Sequence, residues 1–360
     1  MYDVVVVGGG IGGLTVAALL SARGMNICLL ERQSQVGGCI ARVEYSGHDF
    51  EPGMGLYTSF GPGGIYEKLF AQLPVDPPAT SLLTSSYVMR LADGSDVTIG
   101  GEELFSIADG PASLAERLAE SIRCSGGNLR LNSPVLRLSY DEAGRASGVD
   151  LLNGERVFAK TAIVSNLTAW DTYGKLVGLN RTPPEIKKTL NALRGAGVYV
   201  VYASMEESAV SRLPGERMLV KDGEGEFTMA VSSSQTAPPG KRAVTFTCRT
   251  EIDSWFAYQS SEEDYEQWDQ EALEQFWNRL HVALPELGSD IEIIETANPR
   301  TYYDQTRRKL GMVLGVDGAS PVSSSTFLPN LFIMGDTVSA AAKLDSVVEC
   351  ATNLAADIRG

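Results

Sequence analysis

The sequence predicts an α/β protein in which a domain built on a parallel β-sheet is interrupted by a second domain of mixed α+β structure. Three observations predict this class. The β-branched run Val4 to Val7 leads into a glycine-rich turn and then a helix-forming stretch, as expected of a strand buried in a parallel sheet. Residues 330–334 form another short apolar strand. Between these ends, residues 171–327 combine strand patterns with one long helical pattern.

The composition argues against several classes of protein. Of the 360 residues 44% are apolar, and only 5 are Cys and 2 are His, so we expect neither disorder, nor a disulfide framework, nor a metal site. The net charge of −15 disfavours nucleic-acid binding, because phosphate backbones repel it. No apolar run approaches the ~18 residues of a membrane-spanning helix, and no signal-peptide pattern is present. We therefore expect a cytoplasmic protein. Peripheral contact of an apolar patch with a membrane and the oligomeric state stay open.

The first element is a glycine-rich turn between a strand and a helix. Gly8, Gly10 and Gly13 form a GxGxxG motif, with Gly12 inside it. We expect Gly8 to allow the tight turn and Gly10 to let backbone N–H groups approach a pyrophosphate, while Gly13 lets helix and strand pack closely. The N-terminus of the helix then attracts the anion.

An acidic residue follows the second strand of this unit. The apolar run Ile27 to Leu30 ends in Glu31, about 20 residues beyond the turn, where its carboxylate accepts hydrogen bonds from ribose hydroxyls. Strand, glycines, helix, strand and acid together predict an ADP-binding βαβ unit. The alternative is a glycine-rich turn without a ligand, and the unit alone does not separate FAD from NAD.

Two further signals favour FAD. Arg32 and the pair Gly37-Gly38 follow Glu31, and a second glycine pair lets the backbone reach a phosphate or a flavin ring. The apolar strand at residues 330–334 ends in Gly335-Asp336, which places a carboxylate where it could bond a ribityl chain. The alternative role for Asp336 is a helix N-cap, and the two roles are compatible.

The middle of the chain contains several predicted elements. An amphipathic helix begins at Pro111, and a three-stranded meander follows at residues 135–140, 148–152 and 157–164, with a hairpin turn at Asn153-Gly154. Residues 88–99 form a second hairpin. A helical period covers Glu262 to Leu284, with apolar positions at 265, 268, 272, 276 and 280. We expect its acidic residues to form a solvated face, and partner docking is the less favoured alternative.

These motifs together resemble the phytoene desaturase, carotenoid isomerase and retinol saturase branch of the flavoprotein amine-oxidase superfamily. The resemblance rests on residues 4–31, 37–39, 50–53, 111–166, 299–302 with Gly311, and 329–336. It implies a glutathione-reductase-type, Rossmann-like FAD-binding domain formed by residues 1–75, 108–170 and 328–360. An α+β substrate domain with a mixed or antiparallel sheet, residues 76–107 and 171–327, interrupts it. The implied FAD contacts are Gly8, Gly10, Gly12, Gly13, Glu31, Arg32, Gly37, Gly38, Val135 through its backbone near the adenine, Gly335 and Asp336.

The chain departs from the family pattern in three places. The stretch between Gly53 and Pro111 is compact, which removes room for the helical lid that admits a long polyene. Asp345 and Lys343 stand before the helix predicted from about Ser346, where Asp345 would oppose and Lys343 would assist negative charge on a reduced flavin. Cys39 and Arg42 replace residues common in relatives. The resemblance therefore implies a small-to-medium apolar substrate.

The predicted reaction is hydride transfer between a C–C bond of that substrate and the flavin, with oxygen, a quinone or a diffusible carrier as electron acceptor. Glu51, Tyr302 and Lys343 are the candidate catalytic residues, with Tyr57 and Arg300 also placed near the flavin. Glu51 acts as a base if it is buried, although an ordinary structural carboxylate is the favoured alternative. Tyr302 walls a flat apolar pocket or simply packs in the core. Amine oxidation, redox-neutral isomerisation and a catalytically inactive nucleotide-binding scaffold are the competing hypotheses.

Overall fold

The computed structural model describes residues 1–83, 87–100, 103–232, 236–257, 262–313, 315–316, 322–339 and 343–359. The strands are β1 (Tyr2–Val7), β2 (Ile27–Leu30), β3 (Val43–Tyr45), β4 (His48–Phe50), β5 (Thr80–Leu82), β6 (Tyr87–Arg90), β7 (Asp96–Ile99), β8 (Phe105–Ile107), β9 (Asn128–Arg130), β10 (Val135–Tyr140), β11 (Ala146–Leu151), β12 (Arg156–Ser165), β13 (Gly197–Glu206), β14 (Arg217–Asp222), β15 (Gly225–Val231), β16 (Lys241–Thr250), β17 (Ile291–Ala297) and β18 (Leu331–Ile333). The helices are α1 (Ile11–Ala22), α2 (Ile65–Phe70), α3 (Ala112–Cys124), α4 (Ala169–Asp171), α5 (Pro184–Ala192), α6 (Glu207–Val210), α7 (Ile252–Ala257), α8 (Glu262–Ala283), α9 (Pro299–Thr306) and α10 (Leu344–Asp357).

The first sheet has a parallel core. β1 lies between β12 and β2, β9 continues the sheet beyond β2, and β18 pairs with β12, all in parallel. Val4 and Val6 pack against α1, α3 and α10, while Val5 and Val7 pack on the opposite face. Burial on both faces explains the unbroken β-branched run, because neither face of the strand meets water. The predicted α/β fold class is confirmed.

One long strand joins this parallel core to an antiparallel meander. The first half of β12 pairs with β11, which in turn pairs with β10, and Asn153-Gly154 lies in the turn as predicted. The second half of β12 pairs with β1 and β18. Its last residues therefore lie beside the glycine-rich turn that follows β1.

The second sheet has the strand order β17-β13-β16-β15-β14-β6-β7 and is antiparallel except where β6 pairs with β14. Helix α8 packs on one face through the five apolar positions that its period predicts. Six of the seven acidic residues of this pattern are exposed, but Asp269 is half buried and its carboxylate accepts a hydrogen bond from Asn298, at 3.1 Å. Burial raises the pKa of Asp269, so the expected solvated face excludes this residue. Within the residues that the structure describes, no helix has the length and apolar character needed to cross a membrane.

Candidate functional site

The glycine-rich turn lies at the carboxyl end of β1. Gly8 has a φ of +100°, a conformation that favours glycine, and its N–H donates to the Leu30 carbonyl at 2.8 Å. A Cβ atom on Gly13 would lie 2.2 Å from the Gly8 carbonyl oxygen. Helix α1 therefore begins so close to β1 that only glycine fits at position 13.

The N-terminus of α1 is open to an anion. Gly10 caps the helix without a side-chain hydrogen bond, and no acidic residue lies in the first turn. The N–H groups of a first helical turn have no acceptors within their own helix, and the helix dipole adds positive charge there. Such an N-terminus is suited to a phosphate group.

Glu31 closes one side of this turn. Its side chain is buried, its Oε2 accepts from the Gly9 N–H at 2.6 Å, and its Oε1 accepts from the Gln33 N–H at 2.8 Å. Each carboxylate oxygen keeps a further lone pair, which a ribose hydroxyl can use. Arg32 is half buried beside it. The Ser133 N–H donates to the Glu31 carbonyl at 2.8 Å, which brings the start of β10, with Val135, to the same edge.

The second glycine pair lies against the first turn. The Gly37 N–H donates to the Gly9 carbonyl at 2.8 Å, and a Cβ atom on Gly38 would lie 3.4 Å from the Gly10 Cα. The φ angles of Gly37 and Gly38 are +112° and +60°. The glycines that the sequence placed in two separate motifs thus form one cradle of bare backbone.

Sequence reasoning missed Asn166 as a member of this cradle. Its Nδ2 lies 2.8 Å from the position of a Cβ on Gly10, and its Oδ1 lies 2.8 Å from that of a Cβ on Gly12. Asn166 follows β12, the neighbour of β1 in the sheet. The usable signal was its position, since ligands of parallel sheets bind at the carboxyl ends of the strands.

Asp336 forms an ion pair that the sequence did not indicate. Its Oδ2 accepts from the Arg308 guanidinium at 2.6 Å, and the two side chains are 17% and 16% exposed. Burial alone would lower the pKa of Arg308, but Asp336 raises it above its ordinary value. Cys39 lies within the field of this pair, and burial raises the pKa of its thiol. Arg308 was missed because it stands in an ordinary-looking basic run at residues 307–309.

Tyr302 belongs to an aromatic cluster formed with Tyr45, Phe50 and Tyr202. The ring centroids of Phe50 and Tyr202 are 4.9 Å apart, and those of Tyr45 and Tyr202 are 5.5 Å apart. Burial, with Cys39 nearby, raises the pKa of Tyr302 to about 12. The next residue, Tyr303, packs on Phe256, at 5.9 Å between ring centroids.

Glu51 is buried, 2% exposed, and accepts a hydrogen bond from the Tyr57 hydroxyl at 2.8 Å. Burial and the Glu51 carboxylate hold the pKa of Tyr57 well above its ordinary value. The structure therefore joins two residues that the sequence proposed separately. A buried carboxylate that accepts from a hydroxyl group has the environment that a general base needs.

Three other charged residues that the sequence singled out have partners or surroundings of their own. Lys343 is exposed at the N-cap of α10. The Asp345 carboxylate accepts from the hydroxyls of Ser59 and Tyr66, each at 3.0 Å, and also from Thr58. Arg300 pairs with Glu262 of α8 at 3.0 Å, because it points away from Tyr302 two residues further along α9. Its position near the flavin stays a prediction.

Comparisons with protein families match most of the chain. A family described as flavin containing amine oxidoreductase matches residues 79–297, more than half of the chain. A family described as NAD(P)-binding Rossmann-like domain matches residues 6–73, which contain both glycine motifs.

Individual relatives are more distant. Prolycopene isomerase of Daucus carota is 27% identical over 325 residues, which cover 82% of this chain and 50% of that protein. Carotenoid 3,4-desaturase of Haloarcula japonica is 35% identical over 103 residues, 28% of this chain and 20% of that protein. The chain spans about half the length of the curated relatives it matches along most of its own length. Among solved structures, an oxidoreductase from Methanosarcina mazei shares the fold, with a TM-score of 0.74 at 15% identity, covering 98% of this chain and 99% of that one.

Proposed function

The chain belongs to the flavin-containing amine oxidoreductase family, and from this membership we propose that it is an FAD-dependent oxidoreductase. It transfers a hydride between a C–C bond of a small-to-medium apolar substrate and the flavin. The observation that carries the choice of FAD is the cradle of bare backbone at the N-terminus of α1, with the Glu31 carboxylate at its edge. This arrangement fits a dinucleotide whose pyrophosphate and ribose lie side by side.

Each predicted contact has a role in holding FAD. Gly10, Gly12 and Gly13 present the first turn of α1 to the pyrophosphate, and Gly37-Gly38 closes the cradle. Glu31 accepts from the ribose hydroxyls, with Arg32 beside it. The backbone of Val135 would contact the adenine. Gly8 makes the turn after β1, and Gly335 leads to Asp336, whose Oδ1 is left for a ribityl hydroxyl because Arg308 binds Oδ2.

The bound flavin supplies the acceptor or donor of the hydride. The chain's own contribution is orientation and proton handling. Glu51 takes up or returns a proton through the hydroxyl of Tyr57, and Tyr302 with its aromatic cluster forms a flat wall against the apolar substrate. Lys343 places a positive charge at the N-terminus of α10. Oxygen, a quinone or a diffusible carrier accepts the electrons.

The substrate class follows from the relatives and from the chain's own surfaces. The names of the relatives refer to prolycopene and carotenoids, which are apolar polyenes. The aromatic cluster offers an apolar surface of the same chemistry. We also propose the domain boundaries that the sequence predicts. The first sheet takes its strands from residues 2–30, 128–165 and 331–333, and the second takes its strands from residues 87–99 and 197–297.

A second candidate function is redox-neutral isomerisation. It is favoured by the prolycopene isomerases, which match 82% of this chain. An isomerase returns the electrons to its product, so the flavin ends each turnover in its starting redox state.

Purification tests both candidates. We expect a yellow protein whose extracted cofactor co-elutes with FAD rather than FMN. Anaerobic addition of a substrate from a polyene panel to the oxidised protein is expected to bleach the flavin while the product loses two hydrogens. If the reaction runs in the other direction, the pre-reduced protein regains its yellow colour while the product gains two hydrogens. Turnover without any accumulation of reduced flavin identifies the isomerase instead. A protein that takes up no flavin on reconstitution refutes both and leaves the scaffold hypothesis.

A further inference from the structure

We propose that Arg217 binds a carboxylate on the substrate, so that the apolar substrate of the proposed function is an acid. The inference rests on that function for its substrate, but its test reads binding directly. The site lies on the face of the second sheet that turns away from α8. It reaches from the aromatic cluster to the first residue of β14.

The register of four strands places Arg217 on this face. Arg217 pairs with Ala230, Ala230 pairs with Thr245, and Thr245 pairs with Tyr202. Residues paired directly across strands point to the same face of a sheet. Met218 and Phe246 alternate with this row and pack with α8 on the opposite face. Arg217 and Tyr202 thus lie at the two ends of one row.

Arg217 is buried without an ionic partner. Its residue is 9% exposed, and its Nε is fully buried with no hydrogen-bond partner. Among the described residues, none of the carboxylates that form ion pairs does so with Arg217. An unpaired buried charge costs several kcal/mol, so buried guanidinium groups are normally matched by an anion. A planar carboxylate is the ligand that a guanidinium fits in two-point geometry.

Two hydroxyl groups on the same face also lack partners. Thr245 Oγ1 lies in the same row as Arg217. Thr247 Oγ1 lies two residues further along β16 and therefore on the same face. Ala230 lies between Arg217 and Thr245 in this row and is fully buried. Buried polar groups are nearly always hydrogen-bonded, so three unpartnered groups on one face indicate a polar ligand rather than an apolar one.

The other end of the row is apolar. Tyr202 contacts Phe50 and Tyr45 in the aromatic cluster, and Tyr302 contacts the same cluster. Three strand spacings separate the backbones of Tyr202 and Arg217, roughly 14 Å at ~4.8 Å a strand. A substrate that spans the row packs its apolar body on the aromatic cluster and binds its acid group to Arg217.

The competing explanation is that the positive charge of Arg217 compensates the negative charge of Glu51. Burial and Glu51 raise the pKa of Tyr57, and the positive charge of Arg217 opposes this rise. The Tyr57 hydroxyl donates to Glu51, so the charges of Arg217 and Glu51 are neighbours through one tyrosine. If that balance is its whole role, Arg217 stabilises the fold and binds nothing. The two explanations differ in what removal of the guanidinium does to anion binding.

The test is a calorimetric titration of the flavin-loaded protein with benzoate and with its neutral isostere benzamide. We expect benzoate to bind at least about tenfold more tightly than benzamide. Arg217→Met is expected to remove this preference, and Arg217→Lys to weaken benzoate several-fold while leaving benzamide unchanged. Arg242→Met is the matched control, because Arg242 also has a buried unpartnered Nε but its register with Met205 puts it on the opposite face.

Each possible outcome either supports or overturns the role of Arg217 in binding a carboxylate. The proposal is overturned if wild type and Arg217→Met bind benzoate with equal affinity. If Arg217→Met fails to fold, the same comparison is made with Arg217→Lys. A destabilised Arg217→Met whose stability Glu51→Gln restores also overturns the proposal, since Arg217 is then the counter-ion of Glu51. Loss of flavin from Arg217→Met assigns the residue to the cofactor and also overturns it. A wild-type protein without flavin refutes the proposed function, while the benzoate titration still reports on Arg217.

Discussion

Replacing Glu31 by Gln tests the cradle most directly. The substitution keeps the shape of the side chain but turns one acceptor oxygen into an NH₂ group. Both carboxylate oxygens accept backbone N–H groups, Gly9 at 2.6 Å and Gln33 at 2.8 Å, and the residue is 8% exposed. Glutamine can satisfy only one of them, so the other buried N–H loses its partner.

The expected size follows from these two bonds. A hydrogen bond to a charged group contributes roughly 1.5–3 kcal/mol, and an unpaired buried N–H costs about 1–3 kcal/mol. We expect the free energy of unfolding of the flavin-free protein to fall by about 2 kcal/mol. The ribose hydroxyls lose a charged acceptor as well, so the dissociation constant for FAD should rise roughly tenfold to hundredfold.

Urea denaturation of flavin-free protein gives the first quantity, and fluorescence titration with FAD gives the second. Removing the flavin matters, because a bound ligand adds its own stabilisation to the folded state. The control is Glu120→Gln, since Glu120 is an exposed residue paired with Arg117. The control should change stability by less than about 0.5 kcal/mol. If Glu31→Gln behaves like Glu120→Gln in both assays, the carboxylate does not hold the cradle.

Three further outcomes are expected. Gly13→Ala should lower the free energy of unfolding by about 1–3 kcal/mol or prevent folding, because the new Cβ would lie 2.2 Å from the Gly8 carbonyl oxygen. The control Gly174→Ala, whose Cβ would meet open space, should change stability little, and equal denaturation midpoints for the two variants would contradict this reasoning. Arg156, with Ser139 and Arg137, lowers the pKa of Asp150 to about 2, so this carboxylate stabilises the fold above its unfolded pKa and loses that effect as the pH falls towards 2. Asp150→Asn should therefore be less stable than wild type at pH 7, with a difference that shrinks between pH 4 and pH 2. Burial raises the pKa of Cys28 and of Cys248 to about 11, so Ellman's reagent should label exposed Cys124 first, and fast labelling of Cys28 in folded protein would refute its burial.

Local sequence signals were sufficient to predict the glycine cradle and the parallel core. Gly8, Gly13 and Glu31 are fixed by contacts within one βαβ unit, where the chemistry of each position can be read along the chain. The meander and its Asn153-Gly154 turn were predictable for the same reason. The conformation of a hairpin turn and the spacing within a βαβ unit are both determined by residues that lie close together in the chain.

Residues that meet only through long-range packing could not be predicted. Arg308 stands among other basic residues, and only the return of β18 beside β12 brings Asp336 to it. Arg217 has no local pattern at all, because its burial depends on the face of β14 that the second sheet turns inward. Arg300 likewise pairs with Glu262 of α8, a partner 38 residues away that no local pattern indicates.

The order of strands in the first sheet also bears on how the chain is made. β18 pairs with β12 only after β13 to β17 have been synthesised, and α10 comes later still. Until then, the apolar side of α1 that packs on Val348 and Leu354 has no cover. Pairings between distant segments are slow, and uncovered apolar surface invites aggregation or chaperone binding. The glycine-rich turn near residue 10 therefore leaves the ribosome well before β18 and α10, and its support is complete only after both have been made.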